Sequence, residues 1–179
     1  MVLFSIYLVI LVSIARKIYD NLGVKADHPV DKEMLNLVEK DFIVTPSPNF
    51  RYSYSIMREG VVQHLDRDYT YDIVPKELEN GILFQGIHRL PKGTSFLIEL
   101  KKPATVYFIF HQSSDGGYSK IFPYLEGWQK CGLAPKYDIS NGAHGLNMSM
   151  YKLDGKTGTY NINPSNEERG CVSIVFKLL

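Results

Sequence analysis

The sequence has no run of five or more basic residues, and its charges almost cancel. The 20 Lys and Arg side chains are balanced by 19 Asp and Glu, for a formal net charge of +1 at pH 7. Proteins that bind nucleic acid or anionic membranes through charge concentrate basic residues on one stretch or face. We therefore expect no nucleic acid among the partners of this chain.

The sequence also lacks the short motifs of common metal and catalytic centres. The five histidines are scattered, with no H-x-x-x-H spacing and no pairing with cysteine, so no zinc site is indicated. There is no G-x-S-x-G motif for a serine nucleophile. We therefore expect no catalytic residues and no cofactor, apart from the calcium alternative described below.

No apolar run reaches the roughly 20 residues that a membrane-spanning helix needs. Residues 2–14 (VLFSIYLVILVSI) are apolar except for two serines and a tyrosine, and Arg16 and Lys17 end the run. Ser13 and Ala15 supply the small side chains that signal peptidase requires. We predict that residues 1–15 are a cleaved secretory signal and that the protein is extracellular. An uncleaved signal anchor is the alternative, and only then would the membrane be a partner.

Cysteine is scarce, with only Cys131 and Cys171 in the chain. In the oxidising environment outside the cell, these two can form one disulfide. Two buried free thiols are the alternative, because a free cysteine behaves as a small hydrophobic residue. Asn147-Met148-Ser149 is an N-glycosylation sequon. In a secreted chain, it predicts that the Asn147 side chain points outward.

From residue 51 onward, apolar residues recur with a period of two, which is typical of half-buried strands. Turns rich in Gly, Pro, Asn and Asp separate these short segments, among them Asn80-Gly81 and Asp154-Gly155. Three of the alternating sets are Phe96, Ile98 and Leu100; Val106, Phe108 and Phe110; and Val172, Ile174 and Phe176. The pattern predicts a mainly β protein, an antiparallel, jelly-roll-like β-sandwich over residues 51–179.

Residues 16–50 differ from the rest and are predicted to form a helical lead-in and a linker. Asp31 can cap a short helix whose apolar positions are Met34, Leu35, Val38 and Phe42. Residues 45–48 (TPSP) should then interrupt regular structure, because each proline lacks a donor and restricts its predecessor. The apolar helix face either packs on the sandwich or serves a partner helix.

Asp66 and Asp68 flank Arg67 in the segment that precedes the first long strands. On a strand, both carboxylates would project from one face about 7 Å apart. That separation is near the range for the carboxylate pair of an inverting glycosidase. The intervening arginine favours structural ion pairing instead, with a calcium site at Asp66 and Asp68 as the second alternative and catalysis as the third.

The segment from Asp115 to Trp128 (DGGYSKIFPYLEGW) is the strongest binding candidate, because it places several aromatic rings in a Gly- and Pro-containing loop. Aromatic faces bury the apolar surface of a ligand at low entropic cost. The structural alternative is burial in the core, and it is stronger for Trp128 than for the tyrosines. The predicted ligand-binding residues are Asp115, Tyr118, Lys120, Tyr124, Trp128 and Gln129.

Three blocks together resemble a known type of module. They are residues 65–70 (LDRDYT) with Pro75-Lys76-Glu77-Leu78 and Gly81; Pro123-Tyr124-Leu125 with Gly127-Trp128; and Met150-Tyr151-Lys152 with Gly158-Thr159. In order and spacing they resemble the non-catalytic β-sandwich accessory modules of secreted polysaccharide lyases and other extracellular carbohydrate-active proteins. The resemblance covers about residues 61–179, and the family pattern has tryptophan where this chain has Tyr124.

The resemblance implies a secreted, non-catalytic module that binds an extracellular polysaccharide or glycoprotein. One alternative is a structural protein–protein interaction module, docked through residues 31–42 and membrane-tethered if the N-terminal segment is uncleaved. Another is a small secreted enzyme that acts on polysaccharides.

Overall fold

A computed structural model describes residues 25–111, 127–139, 144–163 and 171–179. In those residues, the chain forms one short helix, α1 (Lys32–Val38), and twelve strands. The strands are β1 (Phe42–Ser47), β2 (Ser53–Ile56), β3 (Val62–His64), β4 (Arg67–Ile73), β5 (Ile82–Gln85), β6 (Ser95–Leu100), β7 (Ala104–His111), β8 (Gln129–Lys130), β9 (Lys136–Asp138), β10 (Leu146–Gly155), β11 (Gly158–Ile162) and β12 (Val172–Leu178).

Strands β1, β6 and β11 form a small antiparallel sheet with β6 in the middle. The period-two prediction for β6 is confirmed, because Phe96, Ile98 and Leu100 are buried while Leu97 and Glu99 are exposed. One face of this sheet therefore covers the core, and the other meets solvent.

The remaining nine strands of the described residues form one larger sheet, in the order β2-β5-β12-β7-β10-β9-β4-β3, with β8 also paired to β10. Its pairings are antiparallel throughout. The predicted fold class, a mainly β, sandwich-like arrangement of antiparallel sheets, is thus confirmed.

The first core lies between the two sheets and is rich in aromatic side chains. The ring of Phe42 on β1 stacks on Phe176 of β12 with ring centroids 3.8 Å apart. Phe96 on β6 meets Phe84 of β5 and Phe108 of β7 edge-on, at 6.1 and 6.3 Å. These contacts join the small sheet to the central strands of the large one.

A second core lies against the opposite face of the same central strands, because the large sheet curls over itself. Along β12, Ile174 and Phe176 belong to the first core, whereas Val175 belongs to the second. Tyr71 of β4 and Tyr137 of β9 close the second core and are 0% and 4% exposed. Strands β5, β7 and β12 are consequently buried on both faces.

Helix α1 begins where predicted, with the carboxylate of Asp31 accepting a hydrogen bond from the Met34 amide at 2.9 Å. Its apolar face packs on the first core through Met34, Leu35 and Val38. The chain's own sandwich therefore occupies the face that was considered for a partner helix. No helix in the described ranges combines the length and apolar character needed to cross a bilayer.

Two details of the lead-in prediction are wrong. Phe42 begins strand β1 instead of continuing the helix, and residues 45–47 continue that strand through Pro46, which is opposite Phe96 of β6. Strand β1 pairs only with β6 among the described strands. At such a sheet edge, a proline can be accommodated, because its missing N–H is needed by no second neighbour. The predicted signal at residues 1–15 lies outside the described residues.

Candidate functional site

Most of the predicted binding segment lies outside the described residues, including Asp115, Tyr118, Lys120 and Tyr124. The structure does describe the end of that segment, where β8 begins. The indole of Trp128 packs against the first core, edge-on to Phe108 with ring centroids 6.0 Å apart. Gln129 is exposed on β8. Trp128 therefore packs on the core, as the structural alternative for this residue predicted. Part of its side chain is still exposed to solvent.

A cleft lies next to β8, and the pairing of β10 explains it. Strand β7 pairs along one edge of β10, while both β8 and β9 pair along the other. Strand β9 covers Leu146 and Asn147, and β8 covers Tyr151 and Lys152. The two short strands leave a gap beside residues 148–150. This gap, which we call the lysine cleft, encloses about 260 Å³ and is lined by residues 130–134, Lys136 and residues 147–150.

Two methionines of β10 are among the residues that line the lysine cleft, but their side chains point into the second core. Met148 and Met150 are 5% and 0% exposed and belong to the second core. The Gln63 amide approaches Met148 from behind, with its nitrogen 3.9 Å from the Sδ atom. One wall is the segment after β8, which is held to β10 by a 2.9 Å hydrogen bond from the Cys131 amide to the Met150 carbonyl. Leu133 on this wall is 74% exposed.

The rim of the lysine cleft is polar and positively charged. Lys130 lies opposite Tyr151 at the β8 end, and Lys136 lies opposite Asn147 at the β9 end. The Asn147 side chain is exposed, as the sequon predicted. Whether Asn147 is glycosylated stays a prediction.

The thiol of Cys131 lines the same cleft without being activated. Burial raises its pKa, the negative charge of Glu77 raises it further, and Lys152 opposes them. A thiol whose pKa is raised is mostly protonated near neutral pH and is a poor nucleophile. The thiol therefore lines the cleft as a neutral group and is not activated as a nucleophile.

The predicted Cys131–Cys171 disulfide is wrong, because no disulfide bond joins the two cysteines. Cys171 precedes β12, whereas Cys131 is joined to the far edge of β10. Strand β7 lies between β12 and β10, so three strand spacings, about 14 Å, separate the two positions. A disulfide needs α-carbons within about 7 Å of each other.

Asp66 and Asp68 are not held on one strand as a matched pair. Asp66 lies in the turn between β3 and β4, where its Oδ1 accepts the His88 amide at 2.7 Å and its Oδ2 is 3.2 Å from Arg67 Nη1. Asp68 Oδ1 is 2.9 Å from His28 Nε2. Both carboxylates thus contact groups of the protein itself, as the structural ion-pairing alternative predicted. Within the described ranges, no three His, Cys, Asp or Glu side chains are grouped as a metal site would require.

The same turn gathers histidines that look scattered along the chain. The rings of His64 and His88 have centroids 5.3 Å apart, and Tyr69 meets His88 edge-on at 4.8 Å. His64 and His88 are 0% and 8% exposed. The residues before α1 cross this cluster, with the Ala26 and His28 amides donating to the carbonyls of the turn at 3.2 and 2.8 Å. The two imidazoles are therefore buried inside the fold.

A second hollow lies on the outer face of the small sheet. It encloses about 400 Å³ and is lined by five hydroxyl and amide residues and three apolar ones, namely Thr45, Ser47, Ser95, Asn161, Asn163, Phe96, Leu97 and Ile162. None of these lining residues is charged.

Sequence reasoning did not identify the lysine cleft. Lys130 and Lys136 flank the turn-forming segment CGLAP, which is the one signal in the sequence, and Met148 and Met150 resemble ordinary core residues. The cleft exists because two short strands share one edge of β10 and leave three residues of that strand, 148–150, between them. Pairing of that kind leaves no periodic trace in the sequence.

Comparison with models of known protein families gives no match, and neither does comparison with curated proteins. Among solved structures, the chain is similar to a β-glucuronidase from glycoside hydrolase family 2, with a TM-score of 0.57 and 14% sequence identity. The likeness covers 76% of this chain and 14% of that one. It shows a shared fold, and the chain corresponds to a small part of that protein.

Proposed function

We propose that this protein is a non-catalytic module that binds extracellular carbohydrate or glycoprotein, and that the lysine cleft is its binding site. The observation that carries the proposal is a gap at the sheet edge that is lined by the exposed Leu133 together with Asn147 and two lysines. Ligand sites are typically concave and largely apolar, with a few convergent polar groups that fix orientation.

The chemistry of a sugar matches this arrangement. A sugar ring has an apolar C–H face, which can lie on the exposed Leu133, and an edge of hydroxyl groups. Those hydroxyls can accept from the lysines and exchange hydrogen bonds with the Asn147 amide. The volume of about 260 Å³ is below the roughly 300 Å³ of the smallest drug-sized pockets. One ring or the end of a chain is therefore the expected occupant.

Two further observations support a carbohydrate ligand. The cleft adjoins β8, the strand that follows the predicted aromatic binding segment in the sequence. The solved structure of similar fold is a glycoside hydrolase. The extracellular location follows from the predicted signal and is part of the proposal.

The lysine cleft is preferred to the hollow on the small sheet because only the cleft has charged side chains among its lining residues. No observation favours the protein–protein alternative through residues 31–42, since Met34, Leu35 and Val38 pack on the chain's own core. No group of described residues has the arrangement that would favour the enzyme alternative.

The test is a glycan array probed with the full chain and with cleft variants. Gly132 is in the wall and has no heavy atom within 4 Å of an added Cβ. Gly132→Tyr should therefore narrow the cleft without strain and lower affinity at least about tenfold, whereas Gly132→Ala should bind as the parent does. Loss of binding in Tyr124→Ala with Gly132→Tyr unchanged would move the site to the aromatic segment. Absence of any glycan signal would reject the function.

A further inference from the structure

Three of the five histidines lie at the turn between β3 and β4, although they are far apart in the sequence. His64 ends β3, and His88 packs beside it. His28 belongs to residues 25–30, which cross this turn and which we call the strap. We infer that the strap is acid-sensitive, held on the turn at neutral pH and released when the buried His64 and His88 take up protons. This inference does not depend on the proposed function.

The strap is held mainly by polar contacts. The Ala26 and His28 amides donate to the carbonyls of Asp66 and Leu65 at 3.2 and 2.8 Å. Among the described residues, neither hydrophobic core includes a side chain of the strap. Segments attached by a few partly exposed hydrogen bonds open at a low cost in free energy. The strap can therefore separate as far as Asp31, the cap of α1, while the sheets stay folded.

The same turn carries the two buried imidazoles. The rings of His64 and His88 have centroids 5.3 Å apart and are almost fully buried. His64 directly precedes Leu65, whose carbonyl accepts from the strap. The Asp66 carboxylate accepts the His88 amide at 2.7 Å, and the Asp66 carbonyl accepts from the strap. Release of the strap therefore opens the turn beside both rings to water.

The surroundings of the two rings contain charged groups from several elements. The titratable and charged groups around the rings are Asp66, Arg67, Asp68 and Tyr69 of the turn and β4, Tyr137 of β9, Arg51 before β2, Arg89 after His88, and Asp27 and His28 of the strap. Both oxygens of the Asp66 carboxylate are already engaged, one by the His88 amide and the other by Arg67. A proton on either ring therefore adds positive charge to a buried site that already contains a guanidinium.

The direction of the pH effect follows from hydration. With the strap in place, a charged imidazole would lose most of its hydration, and two charged rings 5.3 Å apart would repel each other. With the strap released, the rings meet water and take up protons near the ordinary histidine value of about pH 6.5. The released state thus binds more protons below about pH 6.5, so its population grows as the pH falls.

The ion pair between His28 and Asp68 acts in the opposite direction. Its Nε2–Oδ1 distance is 2.9 Å, and a proton on His28 strengthens the attraction. The two side chains are 32% and 38% exposed, so water and salt screen that attraction. A charge in the buried site costs far more than such a pair contributes. Acid therefore releases the strap despite this contact.

Hydrogen exchange followed by NMR on the full chain tests the inference. The protection of the Ala26 and His28 amides, corrected for the intrinsic pH dependence of exchange, measures the opening of the strap. It should fall about 5- to 30-fold from about pH 7 to about pH 5.5, as expected for one linked proton. The amides of β7 and β12, at the centre of the large sheet, should keep their protection.

The decisive variant is His64→Phe with His88→Phe. Phenylalanine keeps a flat ring in the buried site but takes up no proton, so strap protection should then change less than about twofold over the same range. The matched control is His28→Gln, which removes the histidine of the strap itself, and here the release by acid should persist. Melting temperatures at neutral pH show whether each variant is folded. The parent protein gives an independent measurement, because the imidazole signals of His64 and His88 should titrate over the range in which strap protection is lost.

The inference fails if the strap and the central strands lose protection together, because that result indicates general acid unfolding. It also fails if strap protection is constant over this range, or if acid releases the strap of the folded double variant as it does that of the parent. Where the double variant does not fold, strap release that follows the titration of His28 but not that of His64 and His88 would reject it.

Discussion

The contact between Asp138 and His144 is a single-residue feature with a direct pH consequence. His144 Nδ1 lies 2.7 Å from Asp138 Oδ2, beyond the end of β9. The hydrogen bond that the imidazole donates to Asp138, together with the negative charge of that carboxylate, raises the pKa of the imidazole. The same hydrogen bond, with a second one from the Gly145 amide, lowers the pKa of the Asp138 carboxyl.

Titration of His144 should therefore show a pKa above the ordinary histidine value of about 6.5. The Asp138→Asn variant should return it to that value, and NMR of the imidazole ring measures both. The charged pair stabilises the fold fully between about pH 4 and pH 6.5. The contribution is lost as pH falls through the lowered pKa of Asp138 or rises through the raised pKa of His144. Equal midpoints in parent and variant would contradict this assignment.

Individual residues show where sequence reasoning reaches its limit. The capping role of Asp31 and the outward direction of Asn147 could be predicted, because both depend on the nearest few residues. The Cys131–Cys171 pairing could not, because it depends on which strands lie between the two positions. The grouping of His64 with His88 was missed for the same reason.

At the scale of elements, the turn at Asn80-Gly81 packs so closely against β12 that a methyl group added to Gly81 would clash. A Cβ on Gly81 would be 2.6 Å from Val175 Cγ1 and 3.0 Å from the Leu78 carbonyl oxygen. Val175 is buried in β12, so it has little freedom to move. The close approach of this turn to β12 therefore requires glycine.

Gly81→Ala should lower the free energy of unfolding by about 1–3 kcal/mol, the usual cost of overpacking. In a domain of this size, that loss lowers the melting temperature by a few degrees. Gly132→Ala is the matched control, because its added methyl group has open space. Calorimetry measures the melting temperature of each variant. Equal melting temperatures would show that the turn accommodates the methyl group without loss of stability.

Elements with a clear period of two could be predicted, and those set by their neighbours could not. Strands β6, β7 and β12 alternate in the sequence as they do in the structure. Strand β1 was missed because Pro46 normally ends a strand, and only its place at a sheet edge makes it acceptable. Strands β8 and β9 are two and three residues long, too short for any period, so the lysine cleft between them could not be predicted.

At the scale of the whole molecule, the two sheets are joined through Phe42. Its ring is 1% exposed and stacks on Phe176 across the first core. Strand β1 therefore connects the region after α1 to the centre of the large sheet. Residues 32–47, which form α1 and β1, are therefore an integral part of the folded body.

Phe42→Ala should destabilise the whole molecule by about 3–5 kcal/mol, because it leaves a cavity where a large buried ring was. Urea denaturation should show a single transition at a lower midpoint. Thr45→Ala, on the exposed face of the same strand, is the control and should change stability by no more than about 0.5 kcal/mol. A loss of similar size in both variants would indicate that β1 contributes through its strand pairing, with little from the aromatic stack.

The attachment of β8 and β9 to one margin of β10 has an evolutionary consequence. The opposite edge of β10 pairs with β7 and holds the strand in the large sheet. Between β8 and β9, Cys131 and Ala134 are only partly buried. Replacement or lengthening of residues 130–134 should therefore alter ligand preference at small cost in stability. A library diversified at those positions is a practical route to new specificities on an unchanged scaffold.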